Sequence, residues 1–300
     1  MDVIKGNIVL VMYHSGGLPD YLSCTFQQIR MFNSDIAIHF LTDKNNVNDP
    51  IFKMYDVTPI NKDLYYTSEI TLFEKCFGRN KDDFWTVTII RLFFISNYIN
   101  QNNFYNIYVI ENDILLYYSL RDHHITFIKL YDEMAITTAG DDKCMTGLLF
   151  VKTPIAMRMM MLYMLRLVTT LTKKEIINIY KMDMIHEMSL MRAYSKDYPE
   201  DLQHLPILPF GEFSKNYEVF NSIFDPASWG QYVGGTTDGI PGAKPSDHYI
   251  GRLLQNNPDY TVIWKEDDQN RKIPYFDYQE KQVRINNLHI HSKNLHKYLS

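Results

Sequence analysis

Cysteine is scarce in this chain: Cys24, Cys76 and Cys144 are the only three in 300 residues. An odd number at wide spacing excludes a disulfide framework and a cysteine metal knuckle. It predicts a reducing compartment and hence a cytoplasmic location. Surplus positive charge is missing as well. The formal net charge is −5, which argues against nucleic acid as the main partner, because phosphate binding needs a basic field. Long uncharged apolar runs are absent too. The most apolar long stretch, Thr153 to Val168, is interrupted by Arg158 and Arg166, so it is too short and too charged to span a bilayer. The start, Met1 to Gly6, is polar and predicts no secretory leader. No internal repeat or low-complexity tract is present.

What the chain does have is apolar residues, at 46% of the total, with aromatics at 14%. That content excludes general disorder and is enough for a core without covalent staples. Asn7 to Met12 is a short continuous apolar run that ends in a Tyr13-His14-Ser15-Gly16-Gly17 turn. Such a run reads as a strand buried on both faces. Helical spacing follows over Asp20 to Phe32, then a second apolar run over Ile36 to Leu41, closed by Thr42-Asp43. Strand, helix and strand in this order predict a βαβ unit. Trp85 to Tyr98 predicts an amphipathic helix, and Tyr105 to Ile110 a third strand that closes at Glu111-Asn112-Asp113. Ile114 to Tyr118 and Met145 to Val151 predict further strands. Pro154 to Leu171, Lys174 to Tyr180 and Met184 to Tyr194 predict helices. The methionines of the first of these helices are expected in the core. From Pro206 onward periodicity fades and loops are expected to dominate, until a last strand over Val283 to His291. The whole predicts one α/β domain with a loop-rich C-terminal elaboration.

In open α/β sheets, ligands sit beyond the carboxyl ends of the strands. Polar groups stand at three such ends: His14-Ser15-Gly16, Thr42-Asp43 and Glu111-Asn112-Asp113. Asp43 is suited to a ribose or base. Asp113, at a polar break between two apolar strands, is suited to a divalent cation that neutralises a diphosphate. The alternative for this tripeptide is an Asx turn without metal. Along a strand from Val283 to His291, Asn287, His289 and His291 alternate onto one face, with Lys293 just beyond. Imidazole joins carboxylate around Mn²⁺, and the Lys293 ammonium suits phosphate as a point charge.

At these residues the sequence resembles GT-A glycosyltransferases over most of its length, Asn7 to Leu295. The resemblance begins with Ser15-Gly16-Gly17-Leu18-Pro19-Asp20-Tyr21, Gln27-Gln28-Ile29-Arg30 and Leu41-Thr42-Asp43, which look like the nucleotide-binding half. Arg91 lies on a helix like the one whose arginine braces the metal motif. Glu111-Asn112-Asp113 stands where that family has its DxD, with Glu in place of the first acid, which puts most weight on Asp113. Phe224 to Gly235 and the Asn287 to Lys293 segment resemble paired blocks of a poorly characterised branch.

The resemblance implies a single glycosyltransferase domain of Rossmann-like mixed sheet flanked by helices. Residues 1–120 would form the nucleotide half, and 121–300 the acceptor half with a C-terminal metal and phosphate segment. It implies transfer from a nucleoside-diphosphate sugar, UDP first, to a carbohydrate acceptor with Mn²⁺ or Mg²⁺. The implied metal ligands are Asp113, Glu111, and His289 or His291. The implied nucleotide contacts are Tyr13, His14, Ser15, Gly16, Asp43, Arg91, Asn112 and Lys293. Glu187 is the first choice for the group that acts at the acceptor or donor sugar, and Asp225 the second. Glu187 otherwise reads as a helix-start carboxylate, and Asp225 as a turn cap. Met145-Thr146-Gly147 would border the donor sugar. Trp229 and Tyr232 would stack on acceptor rings or simply pack. Two other readings compete. A sugar nucleotidyltransferase would normally carry a basic residue in the first loop, which Ser15 to Pro19 lacks. A non-catalytic carbohydrate-binding protein is permitted by the altered DxD.

Overall fold

The computed structural model describes residues 8–77, 84–141, 143–235, 249–257 and 259–300. Met1 to Gly6, and Asn7 where the first strand is expected to begin, lie outside them. The βαβ unit is present as β1 (Val9–Tyr13), α1 (Leu22–Phe32) and β2 (Ala37–Thr42). Next come α2 (Pro50–Met54), β3 (Thr58–Asn61), α3 (Ser68–Phe77), α4 (Phe84–Gln101) and β4 (Ile107–Ile110). The middle of the chain supplies β5 (Ile114–Leu116), α5 (Leu120–Leu130), β6 (Met134–Gly140), β7 (Lys143–Val151), α6 (Pro154–Thr170), α7 (Lys173–Tyr180), α8 (Glu187–Asp197) and β8 (Leu202–His204). The last third holds α9 (Tyr217–Phe220), β9 (Ser222–Ile223), α10 (Trp229–Gly234), α11 (Tyr249–Asn256), β10 (Thr261–Glu266), β11 (Lys272–Tyr278), β12 (Lys281–Ile285) and β13 (Asn287–His289).

The main sheet is mixed, with seven strands in the order β3-β2-β1-β4-β7-β6-β8. β3, β2, β1 and β4 run parallel, β7 is antiparallel to β4 and β6, and β8 is parallel to β6. The ends of β1, β2, β3, β4, β6 and β8 therefore share one edge with the start of β7. Both faces are covered, as the apolar runs require. Val9, Val11, Ile107 and Val109 pack with α4 and α6, and Leu10, Met12, Tyr108 and Ile110 pack with α1 and α5. Met157, Met160, Met161 and Met164 lie in the first of these cores, as expected. β3 is an edge strand, the position a ladder tolerates for Pro59.

Two expectations need correction. α4 is not amphipathic in its surroundings: every residue from Leu92 to Ile99 is buried. It is enclosed by α3, α6, α8 and the sheet, so it has almost no solvent face. The C-terminal third is also more regular than expected. β10, β11, β12 and β9 form a second sheet over a core of its own, with Trp229, Phe276 and Ile285 at its centre. Among the described residues no single helix is long and apolar enough to cross a membrane.

Candidate active site

β4 ends at Ile110, so Glu111 leaves the sheet at the edge where β1, β2 and β3 also end, and β5 resumes at Ile114. The intervening turn points its side chains in two directions. Asn112 turns towards α1, where its amide accepts from the Tyr21 hydroxyl at 3.2 Å and meets His14 Nδ1 at 2.9 Å. Glu111 and Asp113 turn the other way. The expected last strand is in fact two. It breaks at the buried Asn286, β12 stays in the small sheet, and β13 crosses to pair antiparallel with β5. The register sets His289 opposite Ile114, the residue after Asp113.

That crossing assembles the site. His289 Nε2 lies 3.1 Å from Asp113 Oδ2 and 3.3 Å from Glu111 Oε2. One ligand atom from each of the three residues falls within 4.8 Å of the others. Lys293, in a left-handed backbone conformation, places its ammonium on the same Asp113 oxygen, over the Tyr21 ring. Arg91 from α4 pairs with Glu111 and reaches Glu187 at 3.5 Å. The Thr146 hydroxyl donates to Glu111, and the Thr88 hydroxyl to Glu187 at 2.5 Å. His291 lies outside this group. Its ring is tilted by 53° against that of His289, centroids 4.2 Å apart, and its Nδ1 meets the Gln231 amide at 3.4 Å. The alternation that would have put both imidazoles on one face ends with β13 at His289.

Charge follows from this packing. Burial alone would raise the Asp113 and Glu111 carboxyls. His289 and Lys293 outweigh burial at Asp113, Arg91 and His289 outweigh it at Glu111, and both are held below the usual carboxylate range. Burial would lower His289, but Asp113 and then Glu111 overcome it and raise the imidazole above its ordinary value. His291 has no such partner, and burial with its cationic neighbour pushes it down to about 3. At Glu187 burial prevails over Arg91 and Thr88, so this carboxyl is raised.

Two carboxylates and one imidazole nitrogen make a donor set that could hold a divalent metal ion. Two acids held side by side in a buried place repel each other, and Lys293, Arg91 and His289 already crowd positive charge onto the point where they meet.

The Phe224 to Gly235 block supports this group from behind. Asp225 is fully buried. Its Oδ1 accepts from the backbone N–H of Ser228 and Trp229 at 2.7 and 2.8 Å, and its Oδ2 from Gly230 and His289 at 2.9 and 2.8 Å. The cap describes its environment. With both oxygens taken by the backbone and none exposed, Asp225 is corrected from a group at the acceptor to an anchor of His289. Gly230 lies flat against the His289 backbone, and Gly147 against its ring. For Trp229 the packing alternative holds: it is fully buried against Phe276, while Tyr232 remains exposed.

At the ends of β1, β2 and β3 lies a cleft of about 240 Å³ whose walls include Tyr13, Ser15, Lys62, Tyr66 and Phe94. Asp43 is tied to its wall, accepting from the Gly16 N–H at 2.5 Å and pairing with the wall residue Lys62 at 2.9 Å. The left-handed φ of +99° at Gly16 lets that N–H face the carboxylate. His14 Nε2 is bonded to the Gly17 carbonyl at 2.7 Å. The structure therefore joins Tyr13, Ser15, Gly16 and Asp43 at one end, and Glu111, Asp113, His289, Lys293, Arg91 and Glu187 at the other, with Asn112 and His14 between them. Sequence reasoning missed Lys62 and Thr88, and named Tyr21 only within the Ser15 to Tyr21 block. Lys62 follows a four-residue strand containing proline, too short to register as one. Thr88 carries no local signal, because its partner Glu187 is distant in the chain.

No protein-family model and no curated protein matches the chain. Among solved structures it is similar to mouse xyloside xylosyltransferase 1 in its apo form, at 10% identity over 67% of this chain and 85% of that one, with a TM-score of 0.49. It is also similar to the galactosyltransferase LgtC in complex with donor and acceptor sugar analogs, at 13% identity over 66% and 73%, TM-score 0.39. A third likeness is to a cytidylyltransferase from Leptospira borgpetersenii, at 12% identity over 84% and 94%, TM-score 0.38. Likenesses this distant leave the activity to be read from the side chains.

Proposed function

We propose that this chain is a glycosyltransferase that moves a sugar from a nucleoside-diphosphate donor, UDP first, onto a carbohydrate acceptor with a divalent cation. The observation that carries the reading is the convergence of Glu111, Asp113 and His289 beside Lys293 and Arg91, at the sheet edge that also holds the Asp43–Lys62 cleft. Asp113, Glu111 and His289 are the ligands, Asp113 first; a bound Mn²⁺ or Mg²⁺ would neutralise charge on the diphosphate. The Asp43–Lys62 cleft holds the nucleoside.

In the reaction the bond from the anomeric carbon to a phosphate oxygen breaks, and the electron pair leaves with the diphosphate. A bond forms from the acceptor oxygen to the anomeric carbon, and the acceptor hydroxyl loses its proton. Lys293 and Arg91 stabilise the charge that grows on the departing diphosphate, the kind of preorganised electrostatic help that often dominates catalysis. Glu187, raised by burial and held by Thr88, receives the proton in an inverting course.

Lys62 gives specific support to a second reading, a sugar nucleotidyltransferase, because it brings to the first loop the cation that loop's own sequence lacks. Thermal-shift titration with UDP, GDP, ADP and CDP, each with Mn²⁺ and then with EDTA, tests the first reading. A shift that requires Mn²⁺, followed by release of the same nucleoside diphosphate from its sugar donor, supports the transferase. Pyrophosphate release from a nucleoside triphosphate and a sugar 1-phosphate supports the second reading. No shift with any nucleotide refutes both.

A further inference from the structure

Further along the same sheet edge, β6, β8 and α8 border a second cleft of about 180 Å³. Its walls include Thr138, Arg192, His204, Glu212, Phe213 and Lys215. Arg192 is half-buried and held rigidly by neutral acceptors: its Nε donates to the Asp141 carbonyl at 3.0 Å, and a terminal nitrogen donates to His204 Nε2 at 2.8 Å. A guanidinium can only donate, so this nitrogen of His204 is an acceptor and the ring is neutral. Burial, with Arg192 beside it, pushes His204 down to about 4, in keeping with that assignment.

Arg284, which donates to the Tyr117 carbonyl, is oriented in a similar way, but most of the oriented arginines are not. Arg91, Arg121, Arg158 and Arg271 are each paired with a carboxylate. Among the described residues neither Arg192 nor Lys215 has one within ion-pair distance, and Glu212 is the single acid in the wall. A guanidinium fixed in place with its charge unneutralised, next to a second cation, is suited to an oxyanion.

Its position relates it to the proposed chemistry. Arg192 follows Glu187 by five residues on α8, about 7.5 Å along the helix axis at 1.5 Å per residue. Thr138 is paired with Cys144, two residues before the Thr146 that touches Glu111. Five residues also turn about 140° round the helix, so the two side chains leave different faces and more than one ring of an oligosaccharide acceptor would lie between them.

We propose that this cleft binds an anionic group, a carboxylate or a phosphate, on an acceptor sugar beyond the one that is glycosylated, and so selects acidic glycans. The inference rests on the transferase reading of the neighbouring site.

Glucuronic acid, glucose 6-phosphate and glucose, titrated into the full chain at fixed ionic strength and followed by NMR, test it. Both acids, or one of them, should bind while glucose does not. Arg192→Gln should weaken that binding about tenfold, the loss expected for a charge-assisted hydrogen bond. Lys215→Gln, at an exposed position that folding tolerates, should weaken it about threefold. Both variants should retain the Mn²⁺-dependent nucleotide shift. Binding of glucuronic acid alone assigns a carboxylate, and of glucose 6-phosphate alone a phosphate. Equal binding of glucose, or acid binding unchanged in both variants, overturns the inference. Failure of the nucleotide shift in the unaltered chain while acid binding persists sinks the transferase reading and leaves the anion site standing.

Discussion

Replacing Gly230 by alanine tests how the late block supports His289. A Cβ at this position would lie 2.1 Å from the His289 carbonyl oxygen, 2.6 Å from its carbonyl carbon and 2.8 Å from its nitrogen. All three are backbone atoms, so no side-chain rotation relieves the contact. Reaching ordinary van der Waals distance, near 3.4 Å, takes a displacement of about 1.3 Å (3.4 less 2.1). α10 and β13 cannot share that movement freely, because Asp225 Oδ2 accepts from both Gly230 and His289. Overpacking of this kind costs about 1–3 kcal/mol, and each of the two strained hydrogen bonds adds about 1. A loss of about 3–5 kcal/mol is expected, which lowers the melting midpoint of a 300-residue chain by about 5–8 °C. A supporting residue that shifts a ligand costs about 10–100-fold in metal affinity. Calorimetric Mn²⁺ titration and melting in EDTA measure the two effects. Gly17→Ala, where an added Cβ meets nothing within 4 Å, is the stability control. A Gly230→Ala protein that melts and binds Mn²⁺ like the unaltered chain would refute the reasoning.

Asp113→Ala should abolish the Mn²⁺-dependent nucleotide shift and, in EDTA, destabilise the fold by leaving His289 and Lys293 without their shared acceptor; a retained shift would remove Asp113 from the ligand set. The pH dependence should have opposite signs with and without metal. In EDTA, the stability that His289 gains from its raised pKa is complete below about 6.5 and is lost as pH rises through the folded value. The depressed Asp113 and Glu111 contribute above about 4 and lose their contribution as pH falls through their folded values. Metal needs neutral His289, so Mn²⁺ affinity should instead fall about tenfold per pH unit below that raised value. Affinity independent of pH from 5 to 9 would exclude His289 as a ligand. Trp229→Ala should cost about 3–5 kcal/mol by opening a cavity against Phe276, read by denaturant melting; a loss below 1 kcal/mol would place the ring outside the core.

The chain's own pattern determined the frame of the site. An apolar run such as Ile107 to Ile110 must be buried, so the charged residues after it must emerge at the sheet edge, and Glu111 and Asp113 do. The βαβ unit and the methionine-rich core of α6 were legible for the same reason: local periodicity reports which face avoids water. Other features were decided only by tertiary structure. α4 has helical sequence throughout, but whether its second face meets solvent depends on α3, α6 and α8 packing over it. His289 reaches Asp113 across 176 positions of sequence because β13 chooses β5 as its partner. Asp225, Lys62 and Arg192 likewise took their roles from partners brought close by folding. Periodicity fixes which side of an element is apolar, but it carries no record of which distant strand completes the ladder. A site built across several strand ends is therefore only half written in any one of them.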